Sequence, residues 1–155
     1  MGGQRSGRAP GQGDGGVDPA GASDAGLSAR DEEQIRELAT RLFDAARAGD
    51  DAMLGEYIDA GVFVDLSNDR GDTLLMLAAY SGRLDAVKAL LARGADANRP
   101  NDKGQTPLAG AVFKNEPDIV AALLAAGADP DAGTPSARAT ARMFGKEDML
   151  SNTGG

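Results

Sequence analysis

An all-α solenoid, made of stacked helix-turn-helix units joined by hairpin-like loops, is the fold class this 155-residue chain predicts. Three observations carry it. First, the stretch Asn68–Asp96 recurs at Asn101–Asp129, an offset of 33, with more than half of the aligned positions identical. A fixed period between about 20 and 50 residues marks a stacked array. Second, each copy opens on a threonine suited to cap a helix and closes on a glycine suited to end one. Third, the apolar runs between them are rich in Ala, Leu and Val and span roughly eight to ten residues, too short to be stable helices alone. Such helices persist only if adjacent units bury their apolar faces, so stability becomes a sum of unit and interface contributions.

The elements follow in chain order. Residues 1–27 are dominated by Gly and polar residues, a composition that buries too little apolar surface to offset ordering entropy, and are expected to form a disordered tail. Gly11–Gly16 matches G-x-G-x-x-G by letter, but no strand precedes it, so phosphate binding is not expected. Met1-Gly2 with Ser6 matches the myristoylation pattern, which is common by chance in such a stretch. Ser28 and Asp31 form a capping-box variant that starts a long helix. Ile35, Leu38, Ala39, Leu42, Ala45 and Ala46 keep helical spacing up to Gly49. A second helix runs from Asp51 to about Ala60, with Met53, Leu54, Tyr57 and Ile58 on one face, and Gly61 stops it.

The two clear copies then share Gly71/Gly104 at a tight turn, Thr73/Thr106 as N-caps, Leu75/Leu108 and Ala78/Ala111 on the packed face, and Gly94/Gly127 as helix stops. Pro107 sits at the first helical position, where its missing donor is harmless. One period upstream, Thr40, Leu42, Ala45, Ala46, Gly49 and Gly61 repeat the pattern in degenerate form. Downstream, Gly133-Thr-Pro-Ser136 arrives five residues early because the loop after Asp129 is short. Ala137, Ala139–Ala141, Met143 and Phe144 then give an inner helix, and Lys146–Leu150 starts an outer one. The expected organisation is an N-terminal capping unit at 28–67, units at 68–100 and 101–131, a truncated C-terminal cap at 132–150, and a flexible tail at 151–155.

Residues 71–98 (GDTLLMLAAYSGRLDAVKALLARGADAN) and 104–129 (GQTPLAGAVFKNEPDIVAALLAAGAD) resemble ankyrin repeats, with their G-x-T-P-L-H-x-A-A-x-x-G opening and L-L-x-x-G-A-D-x-N close. The resemblance extends over roughly residues 35–150 and implies an ankyrin-repeat solenoid. It departs from the family where the histidine after T-P-L is replaced by Met76 in one copy and Ala109 in the other. The bonds that histidine makes between loop and helix are lost, which implies looser loops.

Composition narrows the function. The chain has no histidine and no cysteine, which removes the commonest general base, the commonest transition-metal ligand and any thiolate nucleophile. Ser81 and Ser136 therefore have no histidine to activate them, and no catalytic residues and no cofactor are expected. Asp65, Asn68, Asp69 and Asp72 cluster near one loop without the spacing of a calcium loop. Asp50-Asp51 and Glu32-Glu33 lie at helix starts, where acids favour the macrodipole. The net charge of −8 does not steer toward nucleic acid or an anionic membrane. There is no membrane-spanning run and no hydrophobic leader, so a cytoplasmic protein is expected.

What remains is binding to another protein. In ankyrin repeats the loop tips and the last inner-helix positions line a concave surface. By matched position, the resemblance implies loop tips at Asp69, Arg70 and Asp72, and at Asp102, Lys103 and Gln105. It implies inner-helix positions at Arg47 and Ala48, at Tyr80 and Ser81, and at Phe113 and Lys114. Tyr80 and Phe113 lie 33 apart, so stacking should set them side by side as an interface anchor. The expected function is a non-enzymatic interaction module that binds a folded partner. The alternative is a regulatory subunit or antitoxin-like inhibitor that meets a basic partner electrostatically, a reading that rests on the net charge.

Overall fold

The computed structural model describes residues 28–151. The tail expected at 1–27, with the two glycine-rich motifs, and all but the first residue of the tail expected at 151–155 lie outside the described residues. Eight helices occur among the described residues: α1 (Ala29–Ala48), α2 (Asp51–Asp59), α3 (Leu74–Tyr80), α4 (Leu84–Ala92), α5 (Pro107–Phe113), α6 (Pro117–Ala125), α7 (Ala137–Met143) and α8 (Asp148–Ser151). Ser151 thus ends a helix rather than beginning a tail. There is no strand among the described residues, only isolated bridges at Ser67–Thr73 and Gly133–Ser136.

Two compact units divide at Thr40/Arg41, inside α1. In the first, the Asp31 N–H donates to Ser28 Oγ (3.1 Å) and the Ser28 N–H to Asp31 Oδ2 (3.4 Å), the reciprocal cap read from the sequence. Ile35, placed by its spacing among the packed residues, is 54% exposed.

In the second unit, α3, α5 and α7 pack successively in one row, and α2, α4, α6 and α8 in another. Alanines explain the inner row. Ala78, Ala111 and Ala141 are fully buried and keep the inner helices close. Leu42, Leu54, Leu75, Leu90, Leu108, Val120 and Leu123 fill the space around them. Thr73 Oγ1 accepts from the Met76 N–H (3.1 Å) and Thr106 Oγ1 from the Ala109 N–H (3.2 Å), which confirms both N-caps. The stops also hold: Gly94 and Gly127 take φ of +89° and +94°, the left-handed region in which a side chain is strained. At the end of α5, Asn115 takes the left-handed role (φ +62°) that Gly82 fills after α3, a substitution asparagine tolerates.

The fourth helix pair corrects one expectation. The cap of α7 is not Thr134 of the early Thr-Pro pair but Ser136, whose Oγ accepts from the Ala139 N–H (3.0 Å). The register is therefore three residues short, not five. With Ser136 matched to Thr106, Arg138 falls where the first three units carry Leu42, Leu75 and Leu108. It is exposed and pairs with Asp131 (2.7 Å), a polar substitution suited to the end of an array.

Candidate functional site

The loops that carry the expected tips are closed by two asparagines. Asn68 Oδ1 accepts from the N–H groups of Arg70 (2.9 Å) and Asp72 (3.0 Å). Asn101 Oδ1 accepts from those of Lys103 (3.0 Å) and Gln105 (2.9 Å). Each loop is also clasped by a backbone pair, Asn68 N–H to the Asp72 carbonyl and Asn101 N–H to the Gln105 carbonyl. Successive loops join directly: the Asp102 N–H donates to the Arg70 carbonyl (3.0 Å) and the Thr134 N–H to that of Gly104 (2.9 Å). Met76, at the family's histidine position, is buried as part of the core. Looser loops are expected from the missing histidine; the asparagine brackets supply bonds of their own within each loop.

Asp72 has a different place from the other tips. It is buried; its Oδ2 accepts from Arg70 Nε (3.2 Å) and its Oδ1 from Asn101 Nδ2 (2.9 Å) of the next loop. Its carboxylate is committed to holding two loops together. Asp72→Ala is expected to lower stability by about 1–2 kcal/mol, because it removes the acceptor of one part-buried Asn101 amide proton and the bond between the two loops. Urea denaturation checks this, with Asp72→Asn recovering part of the loss; a change under about 0.5 kcal/mol would contradict the assignment.

Asp69, Arg70, Asp72, Asp102, Lys103 and Gln105 do come together, with Tyr80, around one groove of about 370 Å³. A second groove of about 250 Å³ continues from it, lined by Tyr80, Gln105, Ala109, Phe113, Pro135, Thr140, Met143 and Phe144. Tyr80 and Gln105 belong to both. Arg47, Ser81 and Lys114 line neither. Arg47 pairs with Asp44 (3.1 Å), and its carbonyl accepts from Arg83 Nε (2.8 Å). Ser81 and Lys114 are exposed C-caps of α3 and α5.

The two aromatics expected side by side are divided in role. Tyr80 is half-buried and lies across Gly110 of α5: a Cβ there would stand 2.9 Å from Tyr80 Cε2. Burial, and secondarily the nearby Asp72 carboxylate, push the Tyr80 phenol above its usual range. It therefore stays neutral at physiological pH, and the stability it lends is present below about pH 10 and lost as pH rises through the raised value. Phe113 is 53% exposed, and its aromatic neighbour is Phe144, not Tyr80: the ring centroids are 5.6 Å apart at 69°, edge to face.

Met143 and Phe144 are the functional candidates that sequence reasoning missed. They were expected only as residues of the fourth inner helix, with no role assigned, and they are 68% and 48% exposed. Counting from Ser136 rather than Thr134 would have aligned Met143 with Tyr80 and Phe113. Gly110 was missed as well; its signal was a glycine inside a helix, at the position of Leu77 one period earlier.

Among the described residues no group of His, Cys, Asp or Glu side chains could hold a metal ion. No helix there is long and apolar enough to cross a membrane.

Comparisons with known proteins agree with this architecture. The profile for ankyrin repeats (3 copies) matches residues 42–134. The human ankyrin repeat domain-containing protein 29 is 47% identical over 62 residues, covering 39% of this chain and 21% of that protein. A putative ankyrin repeat protein of Pseudomonas aeruginosa is 40% identical over 55 residues, covering 36% of this chain and 32% of its own. The matched stretches thus span about a fifth to a third of these curated relatives. With the period, the caps, the two helical rows and the matched profile in agreement, the chain belongs to the ankyrin-repeat family.

Proposed function

We propose that the chain is a non-enzymatic interaction module that binds a folded partner protein through the concave face of its inner helices and loop tips. Ankyrin repeats generally serve as protein–protein interaction modules, and the family is generally non-catalytic. The observation that carries the reading is the continuous apolar strip of Tyr80, Phe113, Met143 and Phe144, open to solvent beside ordered polar loops. A solvated, isolated large apolar residue is ordinary; several contiguous ones, rimmed by polar groups, are the composition of an interface centre. In this reading Tyr80, Phe113 and Phe144 are the anchors. Asp69, Arg70, Asp102, Lys103 and Gln105 form the polar rim with Lys114 next to Phe113 and with Arg47 and Ser81 farther out, and Asp72 contributes by holding the loops.

The test is capture of the partner from native lysate, followed by titration with Phe113→Ala/Phe144→Ala. Losing two central anchors should weaken binding by more than about 2 kcal/mol. The helical circular-dichroism spectrum should be unchanged, since both rings are exposed. Unaltered affinity would remove the concave face from consideration.

A further inference from the structure

We infer that the 250 Å³ groove selects a partner segment of a particular chemistry: one bulky apolar side chain with carboxylates beside it. This rests on the concave-face reading above and makes it more specific. The groove is smaller than the roughly 300–1,000 Å³ typical of small-molecule sites, and suits one inserted side chain with its adjoining backbone. Its lining carries no charge. Tyr80 brings a neutral phenol to one wall. Gln105 Oε1 already accepts from Asn101 Nδ2 (2.7 Å), which leaves its amide donors for a partner carbonyl.

The Asp72 carboxylate lies near the Tyr80 end of the apolar strip, whereas the charge at the Phe113–Phe144 end is positive. Lys114 directly follows Phe113 at the end of α5 and is exposed. Lys146 Nζ lies 5.8 Å from the centroid of the Phe144 ring. Neither lysine forms an ion pair among the described residues, whose four pairs involve Arg47, Arg70, Arg93 and Arg138. Four acids lie between them in sequence, Glu116, Asp118, Asp129 and Asp131; Glu116 is turned toward the preceding unit, its Oε2 within 2.8 Å of where a Cβ on Gly82 would stand, and Asp131 is paired with Arg138. A segment that leaves the groove past Phe113 and Phe144 therefore runs beside two ammonium groups that pair with no carboxylate among the described residues. The net charge of −8 argues for basic partners only at long range, because charges beyond about 8–10 Å are screened at physiological salt. Contact selectivity is set by the near pair.

A random twelve-residue peptide library displayed on phage, selected against the full chain, tests this. Recovered peptides are then titrated against wild type, Lys114→Glu/Lys146→Glu and Phe113→Ala/Phe144→Ala by fluorescence polarisation. The expected peptides carry Phe, Trp, Leu or Met next to Asp or Glu. They should bind the charge-reversed variant about tenfold or more weakly at low salt, with the difference shrinking as salt rises. Peptides that need Phe113 and Phe144 but carry Lys or Arg, or show no charge preference, would overturn this inference and leave the concave-face reading standing. Recovery of no peptide would overturn this inference alone, and peptides that bind Phe113→Ala/Phe144→Ala as well as wild type would remove both.

Discussion

Leu108→Ala is expected to destabilise the repeat array by about 2–5 kcal/mol, the range for deleting a large side chain from a packed site that cannot collapse. Leu108 is fully buried in α5, and α5 packs against α3, α6 and α7. The void would open where two inner-helix interfaces meet, so the loss falls on the coupling between units as well as on one unit. Against a total of about 5–15 kcal/mol for an ordinary domain, that is a large fraction. Urea denaturation followed by circular dichroism is the measurement. A lower midpoint with an unchanged slope means that the array still unfolds as one; a split transition means that the units on either side of α5 have come apart. A loss below about 1 kcal/mol would show that the neighbouring helices close over the vacancy. Phe113→Ala, a larger truncation at an exposed position on the same helix, should change stability far less.

Gly71→Val is expected to be the most damaging single change outside the core, at about 2–4 kcal/mol. Gly71 has φ +78°, a conformation a β-branched residue adopts only under strain of about 1–3 kcal/mol. The new Cβ would also stand 2.9 Å from the backbone nitrogen of Asp102, which cannot swing aside as a side chain can. Relief requires separating the two loops, which breaks the bond from the Asp102 N–H to the Arg70 carbonyl, worth about 1 kcal/mol. The loop tips with Asp69, Arg70, Asp102 and Lys103 would shift together, so partner affinity should fall alongside stability. Gly94→Val is the control. Its φ is +89°, but nothing lies within 4 Å of its added Cβ, so it should carry the conformational strain without the loop separation. Equal losses in the two variants, by thermal denaturation, would mean that loop contact adds nothing.

The sequence disclosed local chemistry better than it disclosed the ends and the crossings. Thr73, Thr106 and Ser28 could be read as caps because a cap bonds within three residues of itself. Gly94 and Gly127 could be read as stops because a left-handed residue is a local requirement. Asp72 could not be recognised as structural, since its partner Asn101 lies on the next loop and meets it only when units stack. The exposure of Met143 and Phe144 was hidden for a related reason. Helical periodicity says which residues share a face, but not whether another helix covers it. The role of Gly110 depended on which way the Tyr80 ring turns, which no spacing rule supplies.

The outer loops hold a consequence of their own. The Asp96 N–H donates to Asp65 Oδ1 (2.9 Å), and the Asp129 N–H to Asn98 Oδ1 (2.7 Å). Asn98 Nδ2 returns a bond to the Gly127 carbonyl (3.1 Å). Each of these amide protons is held by a side chain from the preceding unit, not by its own helix. It can meet solvent deuterium only when that side chain leaves it, so its exchange is tied to the seam between units rather than to the fraying of a helix end. The pair of aspartate amides therefore serves as a built-in gauge of cooperativity along the array, one proton at each of two successive seams.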